Sequence, residues 1–180
     1  MNLNDIEELY LKRQSCREFS EKPVDEALVE KVCGLALLAP SACNAQPWRL
    51  IAVTGEKVKE VAKCLQDMGM NKFVSKAPVL VAVAEGKSNL TAKAGSKVMG
   101  TDFTTNDLGI LTAHLVLAAE AAGLNSCILG WRNEKKLSKA LGLEEGAKIP
   151  LVVALGYAAE DYPVRPKNRK PSDEVFTLLK

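Results

Sequence analysis

Histidine is nearly missing from this 180-residue chain, which has one, His114. It falls on an apolar helical stretch, where a packed and satisfied ring is the ordinary reading, so it is given no catalytic role. Paired cysteines are missing as well. The five thiols, Cys16, Cys33, Cys43, Cys64 and Cys127, are odd in number and contain no C-x-x-C spacing. That excludes a disulfide framework and a zinc cage, and implies a reducing compartment. Neither charge sign is in excess: 24 Lys and Arg against 22 Asp and Glu leave a net charge of +2. Such a balance sets up no global field for nucleic acid. The uncharged run Leu108 to Ala119 spans 12 residues, short of the ~20 that a membrane-spanning helix needs. Asp5, Glu7 and Glu8 stand where a signal peptide would be basic, so a cytoplasmic protein is expected. The nucleophile elbow, the phosphate loop and the dinucleotide fingerprint are also absent, which removes the usual hydrolase and kinase signatures.

What is present describes an ordinary folding chain, 47% hydrophobic and 26% charged, expected to form a single domain over residues 1–180. Periodicity predicts a helix capped by Asn4 or Asp5 and running to about Lys12, and a second from Asp25 that Pro40 closes. A short strand follows at Trp48 to Val53, then a surface helix at Lys57 to Met68 and a doubly buried strand at Val79 to Ala84. Lys87 to Gly100, small, polar and basic, is expected to be loose. A long helix from Asp102 ends at Gly123 and is apolar nearly all round, which calls for cover on every side. Strands at Leu124 to Leu129 and Ile149 to Leu155 bracket a helix at Asn133 to Leu141. The basic, proline-rich tail from Pro163 to Lys180 carries Val175, Phe176 and Leu178, which are able to dock. Mixed helices and strands imply an α+β class with a central sheet.

Three local features could carry chemistry. Basic clusters at opposite ends, Arg13/Ser15/Arg17 and Lys167/Arg169/Lys170, have the guanidinium forks, hydroxyl and ammonium that a phosphate dianion takes. Taken singly, each is also what a solvated basic stretch looks like. The loop Pro40 to Trp48 sets Asn44 and Gln46 between two prolines, which suits a planar heterocycle edge and equally suits a plain turn. Ile128-Leu129-Gly130-Trp131 is a strand stopping at glycine, where a ligand could approach the backbone, or a bare strand end with a surface Trp.

In register, these stretches resemble the flavin-dependent nitroreductase family. The resemblance rests on Arg13-Gln14-Ser15-Cys16-Arg17-Glu18-Phe19, Ala39-Pro40-Ser41-Ala42-Cys43-Asn44-Ala45-Gln46-Pro47-Trp48, Asp107 to Gly123 running into Ile128-Leu129-Gly130-Trp131, and Lys167-Asn168-Arg169-Lys170-Pro171. It implies a mostly antiparallel central sheet flanked by helices and an intertwined homodimer, with an arm from about residue 163 reaching the partner subunit. FMN would sit between the subunits, with NADH or NADPH as electron donor and nitroaromatics or quinones as acceptors. No metal is implied.

Carried onto this sequence, Arg13, Ser15, Lys167 and Arg169 resemble the phosphate holders, and Arg17 the cation beside N1 and the C2 carbonyl. The backbone at Leu129 and Gly130 would face N5. Gln14 and Ile128 are cofactor contacts on the same basis. Pro40, Ser41, Asn44 and Gln46 would reach the flavin, the first three from the partner chain. Lys87 to Gly100 stands where larger members carry a helical lid, and small members include dehalogenating and flavin-destroying relatives. Two other readings remain at this point: a flavin-binding sensor or carrier without NAD(P)H turnover, and a cofactor-free protein using Cys43 or Cys127 for thiol redox.

Overall fold

The computed structural model describes residues 2–180. Its spine is a four-stranded, wholly antiparallel sheet in the order β1-β2-β4-β3, with β1 at Trp48–Val53, β2 at Val79–Glu85, β3 at Asn125–Leu129 and β4 at Leu151–Gly156. The unbroken apolar run of β2 explains its central place, since every residue from Val79 to Ala84 is buried. Side chains alternate between the two faces of a strand. One face sends Leu80, Ala82, Val152 and Ala154 into a core shared with α3 (Lys57–Leu65) and α6 (Glu134–Ala140), through Val61, Leu65 and Leu137. The other sends Val79, Val81, Val83 and Val153 against α2 (Glu26–Ala36) and α5 (Phe103–Ala121).

Caps set most boundaries. Asn2, not Asn4 or Asp5, caps α1 (Leu3–Lys12), because Asn2 and Asp5 form a reciprocal capping box at 3.1 and 2.7 Å. Asp25 caps α2, which stops at Ala36, four residues short of Pro40, in a turn through Leu37 and Leu38. Asp102 caps α5, and Gly123 ends it at φ +75°. The expectation of a loose segment at 87–100 is corrected. Asn89 accepts from Ala92 N at 2.8 Å and Gly100 supplies a left-handed stop, so Leu90–Met99 is a helix, α4. The surface helix α3 ends at Leu65, and Asp67–Gly69 turns as a separate 3-10 piece around a left-handed Met68.

The all-round cover expected for the long helix is not met within one chain, because Ile110, Ala113 and His114 of α5 are exposed. Among the described residues His114 bonds only along its own helix, to Ile110 O at 2.9 Å, and its exposure makes it a surface residue and not a packed one. The C-terminal arm, including α7 (Ser172–Val175), is exposed as well, with Phe176 65% and Leu178 66% accessible.

At the end of β4 a side chain has no room. A Cβ on Gly156 would lie 2.6 Å from Pro78 Cδ and 3.0 Å from Phe19 Cδ1, and a proline ring has no rotamer by which to yield. Gly156→Ala is expected to cost about 1 to 3 kcal/mol through overpacking, read as a lower urea midpoint at unchanged slope.

Candidate functional site

The segment after α1 is held by three anchors. Ser15 pairs with Ser126 of β3 as a parallel bridge, Cys16 N donates to Ser126 O at 2.8 Å, and the Cys16 side chain is fully buried. This fixes Arg13, Ser15 and Arg17 along the edge of the sheet. The arm is then tied to the same segment by Gln14, whose amide Nε2 donates to Pro163 O at 2.9 Å. Its Oε1 accepts from Arg165 N at 3.2 Å and Arg165 Nε at 3.1 Å. Buried polar groups are almost always satisfied in this way, and Gln14 is 7% exposed. Tyr162 adds a further tie: its hydroxyl accepts from Arg17 N at 3.1 Å and donates to Ser15 O at 3.4 Å.

These ties bring the two ends of the chain together. Arg13, Ser15, Arg17, Lys167 and Arg169 line one pocket of about 290 Å³, with Gln14 at its wall. Lys167 Nζ donates to Arg13 O at 2.6 Å. Loss of hydration, followed by the neighbouring Arg13 and Arg169 cations, pulls the Lys167 pKa down. Among the described residues, no hydrogen bond or ion pair engages the guanidinium groups of Arg13 and Arg17. Such a concentration of cations is one that a dianion relieves.

Two residues that hold the walls of this pocket together escape sequence reading. Arg165 donates to Ser15 O and stacks its guanidinium 5.9 Å from the Tyr162 ring centroid. Its signal was its place two residues before Lys167, at the head of the basic cluster. Tyr162 carried none.

Beside the pocket runs an apolar trough of about 430 Å³, lined by Arg13, Ala113, Val116, Leu117, Ile128 and Leu151 among others. Arg13 therefore belongs to both cavities. Leu129 is buried at the end of β3, Ile128 is 39% exposed, and among the described residues beyond its chain neighbours nothing lies within 4 Å of where a Gly130 Cβ would be. The backbone is thus open to approach at Gly130. The Gly130 carbonyl accepts from Arg132 Nη1 at 2.6 Å, and Trp131 Nε1 donates to Asp67 O at 2.9 Å. A larger cavity of about 720 Å³ lies between α6 and residues 143–147 and holds none of the sequence-predicted residues.

The loop of Pro40, Ser41, Asn44 and Gln46 is built under strain. Cys43, Asn44 and Gln46 have φ of +51°, +48° and +46°, a region that non-glycine residues enter only when their surroundings hold them there. Ser41 Oγ accepts from Gln46 N at 2.9 Å, Asn89 Nδ2 donates to Cys43 O at 3.1 Å, and the buried Asp107 accepts from Ala42 N at 3.0 Å. Asp107 places this loop near the start of α5, whereas Arg13 lies beside Val116 and Leu117 near its end. From Asp107 to Glu120 the helix rises roughly 20 Å. Within one chain the structure does not bring Pro40, Ser41, Asn44 and Gln46 to the basic pocket.

Four of the cysteines offer no activated thiolate. Burial raises the pKa of Cys16, Cys64 and Cys127, and that of Cys33 to about 11.

The family model described as the nitroreductase family matches residues 10–69 and 60–157. The chain belongs to the nitroreductase family. Among relatives of this family member is the NADH dehydrogenase of Thermus thermophilus, 29% identical over an alignment that covers 95% of this chain and 94% of the relative. The crystal structure of a nitroreductase family protein from Streptococcus pneumoniae TIGR4 is similar at a TM-score of 0.80, 27% identity, and 97% and 100% coverage of the two chains. An FMN and NADPH-dependent nitroreductase from Sphigopyxis sp. strain HMH shares the fold at a TM-score of 0.80 and 21% identity, over 97% and 98% of the chains. The α+β class with an antiparallel central sheet is thus the nitroreductase fold. Among the described residues no helix is long and apolar enough to cross a membrane.

Proposed function

We propose that this nitroreductase-family protein is an FMN-dependent oxidoreductase, reduced by NADH or NADPH and re-oxidised by nitroaromatics, quinones or similar acceptors. The observation that carries the reading is the convergence of Arg13, Ser15, Arg17, Lys167 and Arg169 on one pocket that shares Arg13 with an apolar trough. A dianionic tail beside a flat apolar body fits that pair of cavities, and FMN has both. Bound FMN would supply a ring that accepts hydride at N5 and passes electrons on.

In this reading Arg13, Ser15, Lys167 and Arg169 hold the phosphate, with Gln14 and Arg165 fixing the two segments against each other. Arg17 lines the same basic pocket, and in this reading its guanidinium faces N1 and the C2 carbonyl of the ring. A cation held there stabilises negative charge that builds at N1 and O2 during reduction. Ile128 walls the trough, and Gly130 leaves its backbone accessible.

The reading also needs a second copy. The loop with Pro40, Ser41, Asn44 and Gln46 and the basic pocket sit toward opposite ends of α5, so a twofold partner packed along that helix would deliver its own loop to this pocket. The exposed Ile110 and the bare arm residues Val175, Phe176 and Leu178 are apolar surface for that contact. Five free cysteines suit the cytoplasm.

Absorption spectra of the purified chain test the reading. A yellow dimer by light scattering, bleached by NADH or NADPH without air and re-oxidised by nitrofurazone or menadione, is expected. A bound flavin that neither nucleotide reduces would make the protein a sensor or carrier instead. Arg17→Ala is expected to lower the flavin potential by about 1 to 3 kcal/mol, roughly 20 to 65 mV for a two-electron couple, and to slow reduction. An unchanged potential removes the role given to Arg17.

A further inference from the structure

Glu120 stands in the last turn of α5, a poor place for a carboxylate, because the carbonyl end of a helix repels anions. It is half-buried, and its Oε2 is closed off from solvent with no hydrogen-bond partner among the described residues. A carboxylate so placed needs a compensating charge. The geometry supplies one. Ala113, Val116 and Leu117 line the trough together with Arg13, and Glu120 follows them at the next helical repeat on the same face. The charged groups that act on Glu120 are Lys12 and Arg13 from the end of α1 and Lys167 from the arm. Arg13 and Lys167 both line the basic pocket.

We propose that Glu120 competes with an incoming phosphate for Arg13 and Lys167, and so sets how tightly the pocket holds its cofactor. For FMN this rests on the reading given above; for a dianion in general it does not. Glu120 touches no ligand and acts only through the two cations. Burial, the largest influence on it, raises its carboxyl pKa, and the cations partly offset that. A dianion occupying the cations removes the offset and favours the protonated acid, so anion binding and Glu120 ionisation oppose each other. The sign follows: as pH falls Glu120 takes a proton, its charge leaves the pocket's edge, and the anion binds more tightly.

The test uses the full chain freed of flavin, with FMN and sulfate as probes and Glu120→Gln as the variant. At neutral pH and low salt, Glu120→Gln is expected to bind both probes about three- to tenfold more tightly than wild type, with the gain shrinking in high salt. Glu120→Asp, which keeps the charge, should stay within about twofold of wild type. Sulfate does not titrate in the carboxylate range, so its affinity for wild type should rise from about pH 8 to about pH 5 and that of Glu120→Gln should not follow. Glu120 helps Lys167 keep its proton, so the two chains differ there as well, and the carboxylate is read as the rise toward about pH 5 that wild type shows and Glu120→Gln lacks. Because a raised carboxyl pKa means that ionisation costs stability as pH rises, Glu120→Gln should melt no lower than wild type at neutral pH.

Weaker or unchanged anion binding by Glu120→Gln, or a flat sulfate profile in wild type, overturns the proposal. The sulfate profile needs no variant, so a misfolded substitution does not protect it. A wild type that takes up sulfate in this manner but no FMN would sink the flavin reading and leave this one standing.

Discussion

Chains carrying Arg13→Ala and Arg169→Ala together are expected to purify folded but colourless. Both arginines line the basic pocket proposed to hold the phosphate, and a hydrogen bond to a charged group is worth about 1.5 to 3 kcal/mol. Losing two such groups gives about 3 to 6 kcal/mol, or roughly a hundredfold to more than ten-thousandfold weaker FMN binding by fluorescence titration. The fold should survive, because neither side chain fills a core: among the described residues the Arg169 side chain bonds only to Asn168 O, and Arg13 contributes its backbone carbonyl, which alanine keeps, to Lys167. Arg169→Ala alone should weaken retention while leaving the flavin potential near normal, in contrast to Arg17→Ala. A double variant that stays yellow and binds FMN within tenfold of wild type would mean that the phosphate is held elsewhere.

The second large effect lies in the core. Leu111 of α5 is fully buried in the cluster that α5 shares with α2 and the sheet. Truncating a leucine at such a site costs the transfer energy of the lost carbons plus the cavity they leave, about 2 to 5 kcal/mol. Against a usual total of about 5 to 15 kcal/mol, Leu111→Ala should shift the midpoint of chemical denaturation by a large fraction. A midpoint within experimental scatter of wild type would show that α5 is packed more loosely than its burial indicates. Since α5 also spaces the strained loop from the basic pocket, the variant should weaken FMN binding as a secondary effect.

Much of the framework was legible because it rests on local rules. The alternation of β1 marked Trp48–Val53 at both ends, and the unbroken apolar run of β2 gave away its central position. Gly123 stops its helix in the left-handed region, as its place after the apolar stripe implied. Local rules failed where two signals competed. Asn4 and Asp5 are both good caps, but Asn2 wins by pairing with Asp5. Residues 87–100 lack a wide apolar face, yet a cap and a stop suffice for α4 while Ala92 alone is buried.

The basic pocket was legible only in halves. Arg13 and Arg169 were each visible as charge, but Gln14, Tyr162 and Arg165, which join them, act across about 150 residues of sequence, and no local pattern encodes that. His114 was misplaced for a similar reason: an apolar neighbourhood in sequence says nothing about which face of the helix the sheet covers.

The amide of Gln14 clasps Pro163 and Arg165, so the basic pocket closes over nearly the whole length of the chain. On a translating ribosome, Arg13 and Ser15 emerge early and then wait for the arm before they can grip anything. If flavin binds there as proposed, it locks a scaffold that hydrophobic collapse has already assembled rather than nucleating it.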